Sequence, residues 1–96
     1  MRVEQLLEAR REAILRVCAE HGARTVRVFG SAVRGEAGDD SDIDLLVELE
    51  PGRSLLDLSG LAADLEALLG RKVDVVTEDG LYWLLRRRIL KEARPL

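Results

Sequence analysis

Hydrophobic residues recur along the chain at two spacings, and each switch between them marks an element. Val3, Leu6, Leu7, Ala13, Ile14, Val17 and Cys18 fall near helical spacing, which places their side chains on one helix face. "HG" at His21 and Gly22 has the form of a helix end with glycine just past it, so the pattern predicts one helix over about residues 3–21. "TVRVF" (25–29) alternates with the period of a strand and stops at Gly30. "DIDLLVEL" (42–49) alternates again, with Ile43, Leu45, Val47 and Leu49 on one side and Asp42, Asp44, Leu46 and Glu48 on the other. Pro51 and Gly52 break that strand, and "SLLD" (54–57) has the form of a capping box. The helix it opens carries Leu58, Leu61, Leu65 and Leu68 as its stripe and ends at Gly70. "KVDVVT" (72–77) predicts a third strand and residues 81–93 a closing helix. The predicted order is α, β, a short turn, β, α, β, α: an α/β (α+β) domain.

That order constrains where the polar residues meet. The helix between the second and third strands acts as a crossover, which favours placing those strands parallel and side by side. Residues two apart on a strand point the same way, so Asp42 and Asp44 present their carboxylates on the face opposite Ile43 and Leu45. Asp74, flanked by Val73 and Val75, reaches the same side if the register matches. Carboxylates this close raise one another's pKa and oppose folding unless a cation neutralises them. Oxygen-only ligation suits a hard ion such as Mg2+ or Mn2+. Upstream, "FGSAVRG" ends the first strand at Gly30 and Ser31, where a short helical turn is expected to begin. Exposed amides, a serine hydroxyl and a position without a side chain let a phosphate approach closely, and Arg34 adds a guanidinium fork.

Composition and charge narrow this picture. Ninety-six residues suit a single domain, 1–96, and 47% hydrophobic with 34% charged residues reads as globular. No apolar run approaches the ~18 residues of a membrane span, and the charged opening "MRVEQLLEARREAIL" does not resemble a signal peptide, so a cytoplasmic protein without membrane contact is expected. Cys18 lies in an apolar stripe and reads as a core residue, and His21 as a last-turn cation facing the helix dipole. Thirteen of the fifteen basic residues are arginine and Gln5 is the only side-chain amide, a hint of heat adaptation that concerns habitat. The net charge of −3 hides an asymmetry: residues 36–50 carry seven acids and no base, while residues 81–96 carry Arg86, Arg87, Arg88, Lys91 and Arg94 against Glu92 alone. The acidic centre argues against a general nucleic-acid binder. Two rival motifs fail on their letters. Gly30 to Gly35 has P-loop spacing, but Glu36 and Ala37 stand where Lys and Ser or Thr are required. Asp40, Asp42 and Asp44 match the first EF-hand ligands, but Leu45 replaces the turn glycine and Pro51 the bidentate glutamate.

"GSAVRG", then "DIDLLVEL" six residues later, then Asp74 of "VDVV" thirty residues beyond Asp44, together resemble the minimal nucleotidyltransferases (the MntA-like antitoxins) of the DNA polymerase beta superfamily. The resemblance covers about half the chain, Val26 to Thr77. It implies a nucleotidyltransferase fold, a small mixed three-stranded sheet flanked by helices. By the same resemblance Asp42 and Asp44 would hold two metal ions, Mg2+ or alternatively Mn2+. Asp74 would bind the ion that activates the acceptor hydroxyl and help accept its proton. Gly30 and Ser31 would contact a nucleotide's outer phosphates, with Arg34 helping to hold them. Val33 departs mildly from the family's usual alanine.

The family also includes antitoxins that restrain a helical HEPN partner, in some cases by adding AMP to its tyrosine. The implied activity is metal-dependent transfer of a nucleoside monophosphate, AMP from ATP or else another NTP, to a hydroxyl on a partner macromolecule, with a HEPN-type protein expected as partner. Tyr82 and Trp83 beside the basic 86–94 tail are candidates for its docking surface; covering a small core explains the two aromatics equally well, and a solvated helix face explains Arg86, Arg87 and Arg88. Two alternatives stay open: a non-catalytic antitoxin acting by contact, and an RNA-directed nucleotidyltransferase using the basic tail. The acceptor, the nucleotide and the oligomeric state, a homo-oligomer included, are not readable from the letters.

Overall fold

Strand pairing sets the position of everything else in the computed structural model, which describes residues 2–36, 38 and 41–96. Asp39 and Asp40 of the acidic run lie outside the described residues. Among the described residues the sheet has four strands in the order β3-β2-β1-β4. The antiparallel pair β1 (Ala23–Phe29) and β2 (Ile43–Leu49) forms its centre, and β3 (Val73–Thr77) runs parallel to β2 as the crossover rule requires. The expected sheet had three strands; the fourth, β4 (Arg94–Pro95), pairs Arg27 with Pro95 and Val28 with Arg94 at the β1 edge. Two residues are too few to show a period, and proline is tolerated there because an edge strand has one unpaired side.

The predicted single helix over 3–21 is two helices, α1 (Val3–Ala9) and α2 (Arg11–Glu20), broken at Arg10 with φ −110° and ψ 12°. In one continuous helix Arg10 and Arg11 would fall three and four residues after buried Leu7, on the core-facing stripe. The break turns both arginines outward, and Arg11 Nε donates to the Leu96 carbonyl at 2.7 Å. α4 (Leu55–Leu69) forms as its letters specify. The Ser54 hydroxyl accepts from the Leu56 amide at 3.2 Å, the Ser54 amide donates to Asp57 at 2.8 Å, and Gly70 closes the helix at φ 68°. A short 3-10 turn (Glu78–Gly80) leads into α5 (Trp83–Glu92).

One sheet face forms the core. Ile43, Leu45, Val47, Val28 and Val73 cluster with Val3 and Leu7 of α1, Ile14 and Cys18 of α2, and Leu61, Leu65 and Leu69 of α4. Cys18 is fully buried, and burial pushes its thiol pKa up to about 11, which leaves it unreactive. His21 does end α2, and its Nε2 lies 2.7 Å from Asp64 on α4, tying the two helices together. The opposite face carries Phe29, Asp44, Leu46 and Asp74, the alternation expected from the letters. No helix among the described residues is long and apolar enough to cross a membrane.

Candidate functional site

Two ladder pairings assemble the site. Phe29 on β1 is registered with Asp44 on β2, and Asp44 with Asp74 on β3. Directly paired residues share a face, so the sheet itself places the two aspartates side by side. Asp44 is half-buried, and its ladder partner on β3 is Asp74. The Asp44 pKa rises to about 6, chiefly through burial, then through the charges of Asp74 and Asp42, against a smaller lowering by Arg34.

Asp42 stands just before β2, exposed, with a carboxylate oxygen 4.0 Å from Lys72 Nζ. It is close enough to raise Asp44 electrostatically, yet among the described residues no three His, Cys, Asp or Glu side chains converge as a preformed cage. The donor set nonetheless fits a hard divalent cation: all ligating atoms are carboxylate oxygens, and a cation would relieve the mutual repulsion that raises the Asp44 pKa.

Gly30 is required on two counts. Its φ of 79° and ψ of −150° lie in a region open essentially to glycine, and a Cβ there would collide with the Asp44 carboxylate. The chain then turns through α3 (Ser31–Arg34), where Ser31 is half-buried, and Gly35 closes the turn at φ 74°. Arg34 thus projects beside Gly30. Its Nε donates to Glu36 at 2.6 Å and its Nη1 to both oxygens of Glu92, at 3.1 and 3.3 Å. These carboxylates, Glu36 first, hold the guanidinium pKa above its usual value. The Gly30 amide donates to the same Glu92 oxygen at 3.1 Å.

Phe29, Gly30, Arg34, Asp44, Leu85 and Glu92 border a cleft of about 250 Å³. A roomier hollow of about 540 Å³ lies around Thr25, Leu46, Glu48 and Glu78, but it holds none of the candidate residues. Convergent chemistry therefore singles out the smaller one.

The structure brings Gly30, Ser31, Arg34, Asp44 and Asp74 to one end of the sheet, with Asp42 at its margin. Sequence reasoning missed Glu92. Its signal was a lone acid in a basic segment, placed in the last turn of a helix, where the dipole disfavours a carboxylate. The candidate partner surface is exposed: Tyr82 is 58% and Trp83 73% accessible, their rings 6.1 Å apart, and Leu84 and Leu85 continue the apolar patch.

Comparison with known proteins bears on the family and the fold. The profile of the nucleotidyltransferase domain family matches residues 10–96. The protein adenylyltransferase MntA of Thermococcus cleftensis is 41% identical over 90 residues, covering 94% of this chain and 88% of that protein. A solved structure provisionally described as a minimal nucleotidyltransferase superposes with a TM-score of 0.85 at 58% identity, covering 100% of this chain and 97% of that one. A tri-AMPylated Shewanella oneidensis HEPN toxin in complex with its MNT antitoxin supplies a further match, with a TM-score of 0.69 at 18% identity over 92% of this chain and 69% of that one; at that identity the likeness is one of fold. The chain belongs to the nucleotidyltransferase domain family, as one of its minimal members, and is a nucleotidyltransferase.

Proposed function

We propose that this nucleotidyltransferase moves AMP from ATP onto a hydroxyl of a macromolecular partner, a helical HEPN-type toxin that it restrains as the antitoxin of a cytoplasmic pair. The observation that carries this reading is the Asp44–Asp74 pairing beside the Gly30 amide and Arg34. An acidic pair able to take a divalent cation faces donors suited to phosphate oxygens. The names of the 41% identical adenylyltransferase and of the AMPylated toxin complex support the choice of nucleotide and partner.

In this reading Asp42, Asp44 and Asp74 hold two divalent ions, Mg2+ in the first instance. When bound, the metal supplies charge neutralisation of the triphosphate and of the entering and leaving oxygens. Gly30 and Ser31 receive the outer phosphates, and the Arg34 fork fixes them so that the α-phosphorus faces the aspartates. The acceptor oxygen bonds to that phosphorus, the bond to pyrophosphate breaks, and the hydroxyl proton passes to an Asp74 carboxylate oxygen. Tyr82, Trp83, Leu84 and Leu85 present the partner surface on the helix that borders the same cleft.

A contact-only antitoxin is the second reading. It is favoured by the engagement of Arg34 and Gly30 with Glu92 and of Asp42 with Lys72, which leaves the site not yet arranged for a nucleotide. Copurifying the chain with its bound partner, adding Mg2+ with each nucleoside triphosphate in turn and weighing every product tests the two. AMP-sized additions on the partner support transfer, and unchanged masses with every nucleotide support contact alone.

A further inference from the structure

We propose that Glu92 is an internal competitor for the phosphate seat: its carboxylate occupies the position of a nucleotide's outer phosphate and must be displaced before a triphosphate can bind. This rests on the reading that Gly30 and Arg34 receive phosphate oxygens. Oε1 of Glu92 accepts from the Gly30 amide and from Arg34 Nη1, each at 3.1 Å, and Oε2 accepts from the same Nη1 at 3.3 Å. One anion thus engages, from a helix some sixty residues away in sequence, the two groups best suited to hold another. The Glu92 side chain is only 16% accessible, so this is a seated carboxylate and not a solvated surface charge.

The location is costly on local grounds. Glu92 is the last residue of α5, where the partial negative charge of the helix end opposes an acid, and the Asp44 carboxylate also lies close to Gly30. Helix stability does not place an acid there. The donors do. Phosphate and carboxylate oxygens call on the same N–H groups; the Gly30 amide has a single N–H, already given to Glu92, and a second anion beside that carboxylate would be repelled, so the two compete for the seat.

A polyphosphate can replace the carboxylate because it reaches both donors with more charge and more oxygens. A monophosphate held at the α-position gains nothing there. Glu92 thereby raises the threshold for triphosphate occupancy and leaves monophosphate binding unaffected.

Isothermal titration of the full chain with ATP, AMP and inorganic tripolyphosphate in Mg2+ tests this on the wild type, Glu92→Gln, Glu92→Ala, Arg34→Ala and Glu92→Gln/Arg34→Ala, each checked for folding by circular dichroism. Glu92→Gln keeps the side chain's size and is decisive if Glu92→Ala loses structure. The expected result is roughly tenfold tighter ATP and tripolyphosphate binding in Glu92→Gln, AMP unchanged, and loss of the gain once Arg34 is also replaced. Arg34→Ala weakening ATP while Glu92→Gln leaves it unchanged or weaker would overturn the competitor and leave the phosphate reading standing. ATP binding indifferent to Arg34→Ala in both backgrounds would overturn the phosphate reading, and the competitor with it.

Discussion

Gly30 and Asp44 are packed so closely that each constrains the other. Gly30→Ala adds a Cβ at a φ of 79° and drives it into the Asp44 carboxylate. The expected cost is about 1–3 kcal/mol, read as a lower urea midpoint at unchanged slope; an unchanged midpoint would mean that the strand end is free to relax. Asp44 also gives the fold a pH signature. Its folded pKa of about 6 lies above the usual carboxylate value of 3.8, so the folded state binds the proton more tightly. The associated stability is fully present below about pH 4 and is lost as the pH rises through about 6. Thermal melts without divalent cation are expected to show that decline in the wild type and a flatter profile in Asp44→Asn. A large loss of stability in Asp44→Asn at every pH would identify Asp44 as structural. The positions of Asp42, Asp44, Gly30, Ser31 and Arg34 were legible because strand alternation and glycine punctuation place them by local rules, whereas Asp74 joins them only through the β2–β3 register. Glu92 was not, because its role depends on contacts with Gly30 and Arg34 across the fold, which no local pattern encodes.

At the scale of elements, helix ends and strand alternation were the readable features. The Ser54–Asp57 box and Gly70 bound α4 where the letters placed them, and Ser54→Ala is expected to cost about 1 kcal/mol, seen as a modest fall in melting temperature with the fold retained. The break at Arg10 was hidden by an apolar stripe that resumes in phase; only the pair of arginines between Leu7 and Ala13 shows that a continuous helix would bury charge. β4 was hidden for a different reason. Its pairing with β1, the Leu96 amide donating to the Val26 carbonyl at 3.1 Å, and the reach of Arg11 to Leu96 are long-range contacts that fix a tail lacking any period.

Over the whole molecule, an acidic sheet end and a basic, apolar helix meet along one cleft. α5 borders the cleft through Leu85, Ile89 and Glu92 and turns Tyr82 and Trp83 outward, so one helix connects the proposed nucleotide seat with the proposed partner surface. Trp83 is 73% accessible, and Trp83→Ala should therefore leave unfolding within about 0.5 kcal/mol of the wild type. If the partner docks there, its affinity should fall by tenfold or more in a pull-down or titration, as expected for an exposed aromatic anchor; unaltered affinity would move the docking surface elsewhere.

Catalysis on a partner is most directly tested by intact-mass measurement of that partner after incubation with ATP and Mg2+, using the wild-type chain and Asp42→Asn/Asp44→Asn in parallel. Because docking is proposed on α5 and chemistry at the aspartates, the double variant should still form the complex yet add no AMP, while the wild type adds one or more units. A partner that gains no mass with any nucleotide, and that the double variant neutralises as fully as the wild type, would contradict transfer and leave restraint by contact.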